Sequence, residues 1–146
     1  MAGYAVLTGT FFAGVGAAVL AARARGVKPP EKIGAADIVT IGLATHKLSR
    51  AITKDKVTAT IRAPFTEFQR DSGQGEVEER PRGSGLRRAV GELLVCPYCL
   101  AQWVSAAFVG GMVFAPRATR LVAAVYTAET VSDFLQLAYH AAEERA

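Results

Sequence analysis

The sequence predicts an all-α integral membrane protein: three transmembrane helices plus one marginal, amphipathic helix that is a candidate fourth span. Three observations carry this. Apolar residues make up 51% of 146 residues, and the mean hydropathy of +0.22 is high for a chain that folds in water. Those residues fall in blocks separated by a polar middle. Arginines and lysines cluster beside the blocks, as positive-inside anchoring requires. The net charge of +4 would also suit a nucleic-acid partner, but no groove-reading motif accompanies it. No nucleic-acid partner is expected, and residues 1–146 read as one membrane domain whose first partner is the lipid bilayer.

The first block, residues 4–22 (YAVLTGTFFAGVGAAVLAA), is uncharged and about 28 Å long as a helix, enough to cross a bilayer core. A cleaved signal peptide would carry its basic residues ahead of the apolar run; here they follow it. Gly9, Ala13, Ala17 and Ala21 recur every fourth residue, a stripe along which another helix can approach. Either general alanine richness or helix–helix association, with itself or another membrane protein, explains it. Residues 23–32 (RARGVKPPEK) form a basic, proline-broken connector.

Residues 33–52 (IGAADIVTIGLATHKLSRAI) are ambiguous. Ile38, Ile41, Thr45, Leu48 and Ile52 hold helical spacing, so the segment reads as an amphipathic helix. It either lies in the interface or crosses while tucking Asp37 and His46 against other helices. Residues 53–92 then form a polar loop. Its first part turns and stops at Pro64. Its Gly-, Glu- and Arg-rich part, RDSGQGEVEERPRGSGLRR, shows no periodicity and reads as mobile. The charge switch from Glu76–Glu79 to Arg80–Arg88 reads as a solvated face, with Arg82, Arg87 and Arg88 available to anionic lipid. Leu86–Val95 forms a short helix.

The third block, residues 96–115, opens with Cys96-Pro97-Tyr98-Cys99 and continues without charge to Pro116. Pro97 suits the first helical position, where its missing N–H costs nothing. Cys96 then stands at the N-cap and Cys99 on the third helical position, with both sulfurs at the positive helix end, where a thiolate is stabilised. Three readings stay open. The pair is redox-active, against which no strand precedes it as in dithiol oxidoreductases. It holds half of a zinc or iron site, with His46, His140, Glu92 or a second chain completing it. Or the two are reduced thiols packed at the helix mouth, since a cytoplasmic position disfavours a permanent disulfide.

The last block, residues 119–142, carries Glu129 and Asp133 four residues apart on one face, beside a stripe of Ala124, Ala128 and Ser132. Ionisable groups within a span are costly and mark structural pairs or an ion path. The pair is expected between helices, facing Lys47 or Arg120; a small oligomeric channel or transporter is the functional alternative.

Orientation follows from the basic residues. Four lie in residues 23–32, ten in 46–92, two in 117–120 and one at Arg145. With four crossings an N-in chain is favoured; with an interfacial second helix, an N-out chain. Both place residues 53–92, the Cys box and the C-terminus in the cytoplasm.

GELLVCPYCLAQW, preceded by LATHKLSRAITKDKVTATIRAPF and followed by a span and VSDFLQLA, resembles a family of small bacterial membrane proteins. This is domain-of-unknown-function family 1360, which includes a sporulation-associated membrane protein. The resemblance covers roughly residues 36–139. It singles out Arg50, Asp55, Arg62, Pro64, Gly91, Glu92, Cys96, Pro97, Cys99 and Trp103, with Tyr98 where the family often has Trp. It implies a multi-pass protein of the bacterial cytoplasmic membrane, serving as a non-enzymatic structural or assembly component of the envelope or of sporulation. It supplies no reaction, and no catalytic residue is assigned.

Overall fold

A computed structural model describes residues 1–145. The chain is helical over 73% of its length. Helix α1 spans Ala2–Ala24 and α2 spans Ala35–Thr53. A 3-10 turn at Lys56–Thr58 and a short α3 at Ala59–Arg62 follow, then strands β1 (Thr66–Asp71) and β2 (Val77–Pro81). Helices α4 (Gly85–Val95), α5 (Pro97–Phe114) and α6 (Pro116–Glu143) complete the fold.

Helix α5 lies at the centre. Leu100, Val104, Phe108 and Met112 recur every fourth residue, so one face enters the core, where it meets Ile41 and Ala44 of α2 and Ala123 of α6. Helix α6 turns back at Ala115, and Thr119 sits so close to Gly111 that a side chain there would collide with it. Helices α2 and α6 run side by side in the same direction. Asp37 pairs with Arg120 near their starts, Thr127 and Thr130 donate to the Thr40 and Leu43 carbonyls, and Lys47 pairs with Asp133 further along. Helix α1 runs parallel to α5, with Phe11 edge-on to Trp103 at 5.2 Å. The starts of α1 and α5 and the ends of α2 and α6 therefore share one end of the bundle, and the β-hairpin sits there too.

That hairpin corrects the expectation of an all-α chain with a mobile loop. Strands β1 and β2 pair antiparallel from Thr66↔Pro81 to Asp71↔Val77, with an irregularity between Phe68 and Arg70. Gly73, Gln74 and Gly75 all take positive φ in the connecting turn, where glycine is easily accommodated. The hairpin is tied to the end of α2: the Val77 N–H donates to the Lys54 carbonyl, and the Lys56 N–H to that of Gly75. Exposed charge pairs, not hydrophobic alternation, line the two strands. Glu67 pairs with Arg80 and Arg70 with Glu78 across the strands, which is why hydropathy periodicity missed it.

The spans are also revised. Among the described residues, α1 and α5 are the helices long and apolar enough to cross a membrane. Helix α6 is long but carries Glu129 and Asp133 in its middle and Arg117 and Arg120 at its start. Helix α2 carries Asp37, Lys47 and Arg50. Neither is apolar enough to be a candidate span by itself.

Beneath the hairpin lies the most completely buried charge among the described residues. Arg62 is 0% exposed and pairs through Nε with Glu79 at 2.5 Å, a carboxylate only 4% exposed. Its Nη1 donates to the Ile52 carbonyl and the Thr58 hydroxyl, and its Nη2 to the Asp55 carbonyl. One guanidinium thus fastens the end of α2, the 3-10 turn and β2 together. Removing one partner of a buried ion pair leaves the other charge unpaired, at about 3–5 kcal/mol. Arg62→Ala should therefore lower stability by about that amount and open the hairpin to trypsin at Arg70 and Arg82. Joint replacement of Arg62 by Met and Glu79 by Leu should cost less than Arg62→Ala alone. Thermal unfolding and limited proteolysis check both; equal losses would mean that the pair is not what closes the cap.

Candidate functional site

The hairpin end gathers most of the residues that the sequence singled out. Arg50, near the end of α2, grips Glu76 through two hydrogen bonds, Nε–Oε1 at 2.9 Å and Nη2–Oε2 at 2.6 Å, a bidentate geometry that fixes direction as well as distance. Asp55 bridges to Glu76 through the backbone and gives its carbonyl to Arg62. The Pro64 carbonyl accepts from Nε and Nη2 of Arg87 on α4. Gly91 is packed so tightly that a Cβ there would lie 2.5 Å from the Phe65 carbonyl oxygen, so glycine is what lets α4 lie on the hairpin. These residues converge on one polar cap. Its other halves, Glu76, Glu79, Thr58 and Arg87, were missed, because the run containing Glu76–Arg88 resembles an ordinary solvated surface. Arg87 and Arg88 are engaged with Pro64 and Glu92, not held out for lipid.

Glu92 joins the cap to α1. It accepts a hydrogen bond from the Tyr4 hydroxyl and one of 3.0 Å from Arg88. Beside it, Gly3 lies against Ala89 and the Gly85 carbonyl with no room for a side chain. Arg62, Gly91 and Glu92 thus bring α2, β2, α4 and α1 together.

The sulfurs stand next to this cap. As expected, Cys96 is the N-cap of α5, its Sγ accepts the Cys99 N–H at 3.1 Å, and Pro97 takes the first helical position. The reading as reduced thiols is overturned: Cys96 and Cys99 are joined in a disulfide, with Cα atoms 5.3 Å apart. Each sulfur is satisfied by the other, so neither is a thiolate ligand in this state. Among the described residues no group of three or more His, Cys, Asp or Glu side chains gathers for a metal. His46 stacks on Phe134, and His140 lies beside Glu143.

The acidic pair of α6 divides. Asp133 bonds Lys47 at 2.9 Å, while Glu129 is exposed; the expectation that both lie between helices fails for Glu129. Helix rotation explains this, because Thr130 takes the buried position facing α2. Arg120 is held by Asp37 through two bonds, so it is unavailable to the acidic pair. The stripe Gly9, Ala13 and Ala17 faces outward. The opposite side of α1, with Gly14, Ala18 and Ala22, instead borders an apolar cavity of about 720 Å³ against α5.

The hydrogen bond from Tyr4, and secondarily that from Arg88, hold the Glu92 carboxyl below its ordinary value of 4.5. A carboxyl depressed in the folded state contributes stability above its unfolded value and loses it as pH falls through the folded one. Tyr4→Phe should raise the Glu92 titration midpoint toward 4.5 and weaken the acid dependence of the attachment of α1 to α4. Carbon-detected NMR titration of Glu92 checks this; an unmoved midpoint would show that Arg88 alone sets it.

Residues 40–139 match the model of a family described as "Protein of unknown function (DUF1360)". The chain is similar to the sporulation protein YjcA of Bacillus subtilis (strain 168), 33% identical over 69 residues; the match covers 45% of this chain and 58% of that protein. It therefore spans little more than half of that relative. No solved structure matches the chain. The matched segment contains the hairpin, the disulfide and most of both polar helices, and the chain belongs to the DUF1360 family.

Proposed function

We propose that this is a multi-pass protein of the bacterial cytoplasmic membrane that acts, without catalysis, as a structural or assembly component of the envelope, in sporulation. The observation that carries the reading is α1. It is apolar on every side, and Tyr4, Val6, Phe12, Val15, Val19 and Leu20 are all exposed. A helix apolar all round belongs in a core or a bilayer, and no core of this chain covers it. Leu121, Val125, Phe134 and Leu135 extend the apolar exterior along α6. The charged groups of α2 and α6 are largely turned toward each other as Asp37–Arg120 and Lys47–Asp133, the way intramembrane charge is tolerated. Two helices too polar to cross alone are compatible with crossing as a pair. The link to sporulation rests on the name of the Bacillus subtilis relative, and the assembly role on the uncovered faces of α1, which suit association with itself or another membrane helix.

The shared end of the bundle favours four crossings over an interfacial α2, since the N-terminus and the hairpin lie together. Eleven lysines and arginines (ten in residues 46–92, and Arg145) go with that end, against six in residues 23–32 and 117–120. The positive-inside rule then assigns the cap to the cytoplasm. Single-cysteine variants in a background lacking Cys96 and Cys99 test this. In intact cells an impermeant maleimide should label Glu31→Cys and spare Ser84→Cys. Labelling of Ser84→Cys from outside would reverse the orientation, and protection of both would make α2 interfacial.

A further inference from the structure

We propose that Cys96 and Cys99 form a thiol–disulfide exchange site whose partner is a protein dithiol. In this site Cys99 is the sulfur that is attacked and Cys96 is the leaving group. The disulfide does not serve as a cross-link. It joins Cys96, the junction residue between the consecutive helices α4 and α5, to the first turn of α5, with Cα atoms 5.3 Å apart, and it ties together no elements distant in sequence. The cap beside it is fastened by other means, through Arg62, Arg50 and Arg87.

The two sulfur residues differ in surroundings. Cys99 is exposed and Cys96 is half-buried, so an incoming thiolate reaches Cys99 first. Cys96 is the N-cap of an 18-residue helix, and its Sγ takes the Cys99 N–H at 3.1 Å. Both the helix's positive end and that hydrogen bond stabilise a thiolate on Cys96, and a stabilised thiolate leaves faster. Between them the Tyr98 ring is 90% exposed. A free aromatic ring beside a reactive sulfur is a contact surface for a polypeptide partner, being large, rigid and amphipathic.

The exchange balances without a further reagent. A partner thiolate attacks Cys99 Sγ; the Cys96–Cys99 bond breaks, and Cys96 departs as the stabilised thiolate. The partner's second thiolate then attacks its own sulfur in the mixed disulfide and releases Cys99. The partner becomes a disulfide, the pair becomes a dithiol, and the two protons of the partner end on Cys96 and Cys99. The direction rests on the orientation proposed above, because disulfides on the cytoplasmic side are transient ones.

The test uses purified, folded, full-length protein and glutathione, a monothiol whose mixed disulfide is trapped by quenching within the first moments of reaction, before Cys96 or a second glutathione resolves it. After acid quenching and alkylation, peptide mapping should find the adduct on Cys99 about ten-fold more than on Cys96, as access and leaving-group stability dictate. A predominant adduct on Cys96, or none until the protein is denatured, would overturn the proposal. The Cys96→Ser, Cys99→Ser double variant should keep the wild-type unfolding midpoint; a clear drop would make the bond a structural staple and overturn it equally. Because solubilised protein is used, the result is independent of the maleimide labelling that decides orientation.

Discussion

Everything at the hairpin end depends on the burial of Arg62 and Glu79. A guanidinium and a carboxylate taken out of water are each expensive, and only complete hydrogen bonding offsets that cost. Arg62 meets the condition by reaching four groups on three segments: the Glu79 carboxylate, the Thr58 hydroxyl and the Ile52 and Asp55 carbonyls. These acceptors exist together only when α2 has ended, the 3-10 turn has formed and β2 has reached its register. The ion pair therefore selects one arrangement of a stretch too polar to select one by hydrophobic burial. The buried apolar side chains there are few, Val77 foremost among them.

The bundle uses polarity in a second way. Helices α2 and α6 meet through ion pairs, hydroxyl-to-carbonyl bonds and a His46–Phe134 stack, while α2 and α5 meet through Ile41, Ala44 and the Leu100–Met112 face. Helix α2 thus presents its polar side to one neighbour and its apolar side to another. Helix α1 has neither kind of contact along most of its length. It is fixed near its start by Gly3 and Tyr4 and midway by Phe11 against Trp103, and beyond that it leaves the cavity against α5.

Much of the helical framework was legible in the sequence, and the reasons are local. Pro97 marks the start of α5, because proline can occupy a first turn but not an interior; Pro116, read as the stop of the third block, also opens α6, three residues before the expected start at 119. The amphipathic spacing of Ile41, Thr45 and Leu48 placed α2, and Cys96 was correctly set at the N-cap. The hairpin was not legible to a search for alternating hydropathy. Its strands, TEFQRD and VEERP, alternate charge partners instead, and its register depends on Arg50 and Arg62, distant in sequence. The motif positions Arg50, Asp55, Arg62, Pro64 and Gly91 were recognised by resemblance, but what they do required the fold: they close the cap. The disulfide is not legible from an expected cytoplasmic position, which disfavours it; the first turn of α5, which brings the two sulfurs together, favours it.

The most direct test of a cap closed by a buried ion pair is hydrogen exchange of the hairpin amides in the intact protein. The Val77 N–H, bonded to Lys54, and the Arg82 N–H, bonded to Phe65, should exchange as slowly as amides in the middle of α2, since all would open only with the cap. Exchange of both at the rate of an unstructured chain, while α2 stays protected, would show that residues 66–81 are a loop and that Arg62 organises nothing beyond its own turn.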